Sequence, residues 1–214
     1  MVPRRPGVLD GRADRSALQP AIGEPPRMTS SWFDLARQSI LNPQAAAPLL
    51  VATSLNPAVV PLTLALVAVL NGLLYGLLLP VDFFPGGFAS PIVLAALVGA
   101  VVWGSAAILA VVGRMFGGTG TTTTLLRVTL WLQILRLAAQ VVLSVVGMLV
   151  PALAWLIGMA AGIWGIYMMI SFVAAAHGFE TRLKAVGVVG VTFVSAVLVL
   201  SVLLSAMGVA PVEV

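Results

Sequence analysis

The chain has 214 residues, of which 60% are hydrophobic and 8% charged. Globular domains carry about 25% charged residues, so an ordinary soluble domain is excluded although the length would suit one. The net charge of +4 is no nucleic-acid footprint, because the basic residues stand at the edges of apolar runs instead of forming a patch. With no cysteine and a single histidine, His177, disulfides, thiolate chemistry and multi-histidine metal sites are excluded as well. The composition names no cofactor. All but one of the basic residues are arginine (Lys184 is the exception), which with abundant Ala, Val, Gly and Leu points to a GC-rich, bacterial source.

Residues 1–27 have no apolar core and no cleavage pattern, so they are not a signal peptide. Rich in Pro, Gly and Arg, they read as a disordered tail or a mis-assigned start, with Met28 as the true beginning. From 28 to 57 the chain reads as a cytoplasmic amphipathic lead-in. "SWFDLARQSI" puts Trp32, Leu35, Ala36, Ser39 and Ile40 on one helical face and Asp34, Arg37 and Gln38 opposite. Trp32 and Phe33 are the expected interface anchors. Two Asn-Pro steps follow, Asn42–Pro43 and Asn56–Pro57. Asn suits a helix cap and Pro the first helical position, so two short surface helices are expected before the first span.

Five apolar runs then have roughly the 20 residues needed to cross ~30 Å of hydrocarbon. They are 58–79, 91–113, 125–150, 152–176 and 185–207, leaving 208–214 as a short outer tail. Span 1 holds Asn71 with Gly72 and Gly76 four apart. The same spacing of small residues recurs at Ala96, Ala100 and Gly104 and at Gly158 and Gly162. Small residues so spaced let helices approach closely, in the bundle first and in a homo-oligomer second.

Between spans 2 and 3 lies "RMFGGTGTTTTLLR", which resembles a phosphate loop at first sight. It lacks the lysine and the preceding strand that such a loop requires. The glycines are expected to turn the chain and a threonine to cap the next helix. Span 3 carries a polar stripe, Thr129, Gln133, Arg136, Gln140 and Ser144, ending at Gly147. Arg136 stands nine residues beyond Arg127, roughly 13 Å deeper at 1.5 Å per residue. An arginine there costs about 2.5–3.5 kcal/mol on the gentler insertion scale, so it should face protein or water. No span contains a carboxylate. The expected partners of Arg136 are Gln133, Gln140, Asn71, backbone carbonyls or a lipid phosphate. The stripe is either structural or the lining of an anion or headgroup site. His177, followed by Gly178 in "AAAHGFETRLK", reads as a helix terminus, and Glu180 beside it does not make a catalytic set.

The loops order the spans. Arg4, Arg5, Arg12, Arg15, Arg27 and Arg37 precede span 1; Arg114 and Arg127 flank the second loop; Arg182 and Lys184 lie in the fourth. With five spans all of these share one side, while the other holds only Asp82 and Glu213. The amino terminus is then cytoplasmic and the carboxy terminus outside.

The lead-in "ILNPQAA", Gly117–Gly118 in the middle loop, and "YMMISFVAAAHGFETRLKAVGVV" from Tyr167 come in an order that resembles the Yip (Ypt-interacting protein) family, in its bacterial branch, from about Ser31 onward. The resemblance implies an all-α membrane protein, a five-transmembrane-helix bundle preceded by short amphipathic cytoplasmic helices. Eukaryotic relatives interact with prenylated Rab-type GTPases, and they carry an Asp-Leu-Tyr-Gly-Pro motif ahead of span 1. Here "SILNPQ" stands instead, so that partnership is not carried over.

The expected function is a non-enzymatic scaffold or partner-binding protein of a bacterial inner membrane. Its partners would be the lipid bilayer and a protein at the cytoplasmic face, with no nucleic acid. The alternative is a small-solute or anion transporter lined by the span 3 stripe, against which stand the missing coupling carboxylates and the lack of internal duplication.

Overall fold

The computed structural model describes residues 32–53, 56, 58–78 and 90–206. The tail 1–27, the start at Met28, the acidic residues Asp82 and Glu213 and the outer tail lie outside the described residues. Among the described residues there are seven helices and no strand. Two are short, α1 (Trp32–Leu41) and α2 (Pro43–Ala52). Five are long and apolar enough to cross a membrane: α3 (Val59–Leu78), α4 (Pro91–Met115), α5 (Thr122–Leu149), α6 (Pro151–His177) and α7 (Arg182–Ala206). The fold class is thus the one expected, and the helix ends differ from the anticipated spans by a few residues. α4 runs two residues further, to Met115, and α5 begins three residues earlier, at Thr122.

Local chemistry explains the boundaries. Asn42 caps α2, its Oδ1 accepting from Ala45 N at 3.3 Å with Pro43 in the first turn. Asn56 Oδ1 likewise accepts from Ala58 N at 3.0 Å ahead of α3. Thr121 caps α5, its hydroxyl accepting from Thr124 N at 3.2 Å. Pro151 opens α6 directly after Val150 closes α5. Gly178 ends α6 at φ 66°, the left-handed conformation that favours glycine.

The long helices are unevenly packed. Leu109 of α4, Leu125 of α5, Phe172 and Val173 of α6 and Val188 of α7 form a continuous buried core at one end of the bundle. Toward the other end the large apolar side chains are exposed, among them Val142 and Met148 of α5, Trp155 and Ile163 of α6, and Phe193 and Val202 of α7. α5 has 28 residues, about 42 Å of helix, longer than ~30 Å of hydrocarbon. Inside lipid there is no hydrophobic gain from burying a leucine, because the tails are equally apolar, so apolar flanks left uncovered by the bundle carry no penalty there.

The small residues of spans 1, 2 and 4 behave unequally. α3 and α4 pack antiparallel and very closely: a Cβ on Gly72 would lie 2.6 Å from Pro91 O and 2.8 Å from Ala95 N. Gly158 and Gly162 make no such approach; nothing lies within 4 Å of a Cβ placed on Gly162. Ala96 and Ala100 are on the outside of α4 or partly so, along a shallow groove shared with α3. The packing role expected of these positions therefore holds for Gly72 and not for Gly162.

Candidate functional site

The polar stripe of α5 divides into three parts. Thr129 and Ser144 spend their hydroxyls on their own helix, donating to Leu125 O at 2.8 Å and Gln140 O at 2.9 Å. Gln140 turns Oε1 into the interior, where it meets no partner among the described residues. Arg136 and Gln133 form the third part, a cluster with α3. Arg136 donates from Nε to Gln133 Oε1 at 2.8 Å, from Nη2 to Asn71 Oδ1 at 2.5 Å and from Nη1 to the Tyr75 hydroxyl at 3.1 Å. Asn71 is fully buried and donates its own Nδ2 to Val67 O at 2.8 Å. The guanidinium thus reaches sideways across the α3–α5 seam instead of back toward the headgroups. Its partners are neutral dipoles, and three of its five N–H groups are engaged. Gln133 and Asn71 were legible from the sequence. Tyr75 was not singled out, although it stands one helical turn beyond Asn71 on the same face.

His177 is the larger surprise. It is buried, and three glycines close around its ring, Gly113 in the last turn of α4 and Gly118 and Gly120 in the α4–α5 connection. A Cβ on Gly113 would lie 1.8 Å from His177 Nε2, one on Gly118 2.5 Å from Cδ2, and one on Gly120 2.9 Å from both atoms. Thr119 N donates to His177 O at 3.1 Å, and Phe179 stacks on the ring at 5.1 Å. The ring's Nδ1 lies 3.1 Å from Val173 O, which only accepts, so Nδ1 carries a proton; Nε2 has no partner among the described residues. The loop that looked like a phosphate cradle is a cradle for an imidazole. His177 is a helix terminus as expected, but it is also buried against α4 and the α4–α5 connection. No sequence signal pairs it with glycines 57 to 64 residues upstream.

A third set of contacts fastens α1 and α2 to the bundle. Trp131 Nε1 of α5 donates to Ser39 Oγ at 3.0 Å, and Ser39 Oγ in turn donates to Leu35 O at 2.7 Å. Trp164 Nε1 of α6 donates to Ile40 O at 2.9 Å, and Gln44 hydrogen-bonds the Tyr167 hydroxyl. Arg127 Nη1 closes the set on Thr53 O at 2.7 Å. The inner face of α1 is therefore Leu35 and Ser39. Trp32 and Ile40, expected on that face, are about half exposed, and Phe33 is 77% exposed. A ten-residue helix docked at its middle leaves its ends free, and here those ends carry the large apolar groups. Trp32 still stacks obliquely on Trp131, with centroids 5.9 Å apart.

None of these clusters contains a nucleophile, base and orienting group together. Among the described residues no three or more His, Cys, Asp or Glu side chains converge on a point that would hold a metal ion. What the arrangement does chemically is hydrogen-bond one arginine between two helices, fix one imidazole and clamp two surface helices.

Five long apolar helices, with unburied apolar flanks and an arginine satisfied between two of them, define an integral membrane protein. The family model for the Yip1 domain matches residues 26–204, and the chain belongs to the Yip family. No curated protein and no solved structure matches it.

Proposed function

We propose that this chain is a non-enzymatic scaffold of a bacterial inner membrane, which presents α1, α2 and the ends of the long helices to a cytoplasmic protein partner. The observation that carries this reading is the clamp on α1 and α2. Trp131, Trp164 and Arg127 hold them rigidly against α5 and α6, and a fixed platform suits docking better than a loose tail does. Arg114, Arg127, Arg182 and Lys184 gather at the same end of the bundle as the platform. That supports a cytoplasmic platform and amino terminus and an outside carboxy terminus.

The polar groups inside the membrane support the same reading, because Arg136, Gln133, Asn71 and Tyr75 are turned on one another. The transporter alternative draws on Gln140, whose buried Oε1 is unpaired among the described residues. Reconstitution in liposomes separates the two. The scaffold reading expects no anion flux from wild type. Flux that Arg136→Ala abolishes would replace it with the transporter. A reporter fused after Val214 should read outside the cytoplasm; a cytoplasmic signal would overturn the orientation.

A further inference from the structure

We propose that the cleft between α1–α2, α3 and α5 binds an anionic phospholipid, its phosphate on Arg127 and an acyl chain in the apolar part. The cleft has a volume of about 410 Å3, within the roughly 300–1,000 Å3 of ordinary ligand sites. Its floor is Leu50, Val60, Leu130 and Trp131, all buried. Its rim is exposed and apolar, formed by Trp32, Val59 and Ile134. Protein interiors seldom leave voids larger than a water molecule. An apolar cleft of this size, open on the flank of a membrane bundle, is filled by hydrocarbon.

Arg127 decides the headgroup. It is half-buried at the cleft, and one of its five N–H groups is engaged, with Thr53 O at 2.7 Å. Among the described residues no carboxylate lines the cleft and no other acceptor meets this guanidinium. The remaining N–H fork matches a phosphate diester, which it binds with charge-assisted hydrogen bonds. Among the described residues the lining offers the cation Arg127 and no carboxylate to pair with a choline or ethanolamine ammonium, and that charge balance favours a net anionic headgroup. The two indoles at the cleft, Trp32 and Trp131, are the residue type that sits at headgroup level. Basic pockets between membrane helices near that level are recognised headgroup sites in general. This site requires only that the chain is embedded in a membrane, and it stands whether or not the scaffold reading does.

The test uses the full chain with Trp103, Trp155 and Trp164 replaced by Phe, so that Trp32 and Trp131 are the only tryptophans left. Phosphatidylglycerol with brominated acyl chains is titrated in, and brominated phosphatidylcholine is the comparison. Saturable quenching by the first and little by the second is expected. Arg127→Gln should raise the half-saturating lipid concentration roughly tenfold, the scale of one lost charge-assisted hydrogen bond. Thr63 of α3 also lines the cleft; Thr63→Phe keeps Arg127 but fills the space, and it should abolish saturable quenching. It also carries the test if Arg127→Gln does not fold. Equal quenching by the two lipids, or wild-type binding by either folded variant, would overturn the proposal. So would competition by inorganic phosphate at equal concentration, or binding that appears only after residues 1–27 are removed.

Discussion

The imidazole of His177 lies so close to the Cα of Gly113 that a methyl group at position 113 would stand 1.8 Å from Nε2. Two helices, α4 and α6, are thereby held at a separation that only glycine permits. Gly113→Ala must push the ring off its stack with Phe179 or part the helices, and overpacking a tight core costs about 1–3 kcal/mol. Gly104→Ala is the control, since nothing lies within 4 Å of its Cβ. It should be neutral or gain about 0.5–1 kcal/mol from helix propensity. Thermal unfolding in detergent compares the two, and His177→Ala should recover part of the Gly113→Ala loss. Equal midpoints for Gly113→Ala and Gly104→Ala would refute the cradle.

Arg136 and Asn71 make the shortest contact of the α3–α5 cluster. Arg136→Ala alone is ambiguous, because it removes both a bond and a charge that lipid disfavours. The coupling is not ambiguous. Asn71→Ala deprives a membrane-embedded cation of an acceptor when Arg136 is present and deprives no cation when it is absent. A double-mutant cycle should give about 1–2 kcal/mol of coupling, between typical membrane hydrogen bonds and those to charged groups. Additive effects would mean that the contact does not hold the helices together.

Trp131→Phe keeps the ring in the core but loses the donor to Ser39. Ser39 stays bonded to Leu35 O, so α1 loosens without leaving a buried donor stranded. A loss of about 0.5–1.5 kcal/mol is expected. Amide hydrogen exchange in residues 33–41 should speed up by roughly the corresponding factor of 2 to 13. Unchanged protection there would show that α1 is held by its apolar face alone.

Gly72→Ala should part α3 from α4, because its Cβ would meet backbone atoms of Pro91 and Ala95 that cannot rotate away. Gly162→Ala meets open space and should not destabilise. Cysteines placed at Ala68 and Gly99, whose Cβ positions are 3.5 Å apart, report the separation. They should cross-link in an otherwise wild-type background and much more slowly with Gly72→Ala. Equal rates would place the contact elsewhere.

Much of this protein follows from local patterns in the chain. Uncharged runs of about 20 residues must become helices in a bilayer, since unpaired backbone groups are too costly there. The caps at Asn42 and Thr121 and the stop at Gly178 are short-range hydrogen-bond and φ requirements, legible because they involve neighbours a few residues apart. The spacing of the α5 stripe likewise puts Gln133 one turn from Arg136, where it accepts from Nε.

What tertiary structure alone decided is which of several equivalent-looking residues meet. Gly72 and Gly162 each have a second glycine four residues away, yet only Gly72 faces a crossing helix. Trp131 and Trp164 read as interchangeable aromatics, yet their indole N–H groups are what clamp α1. His177 and the glycines of the α4–α5 connection are far apart in sequence, and each looks ordinary alone. Helical periodicity specifies a side chain's direction from its own axis, whereas contact depends on the rotation and depth of the neighbouring axis, which packing sets.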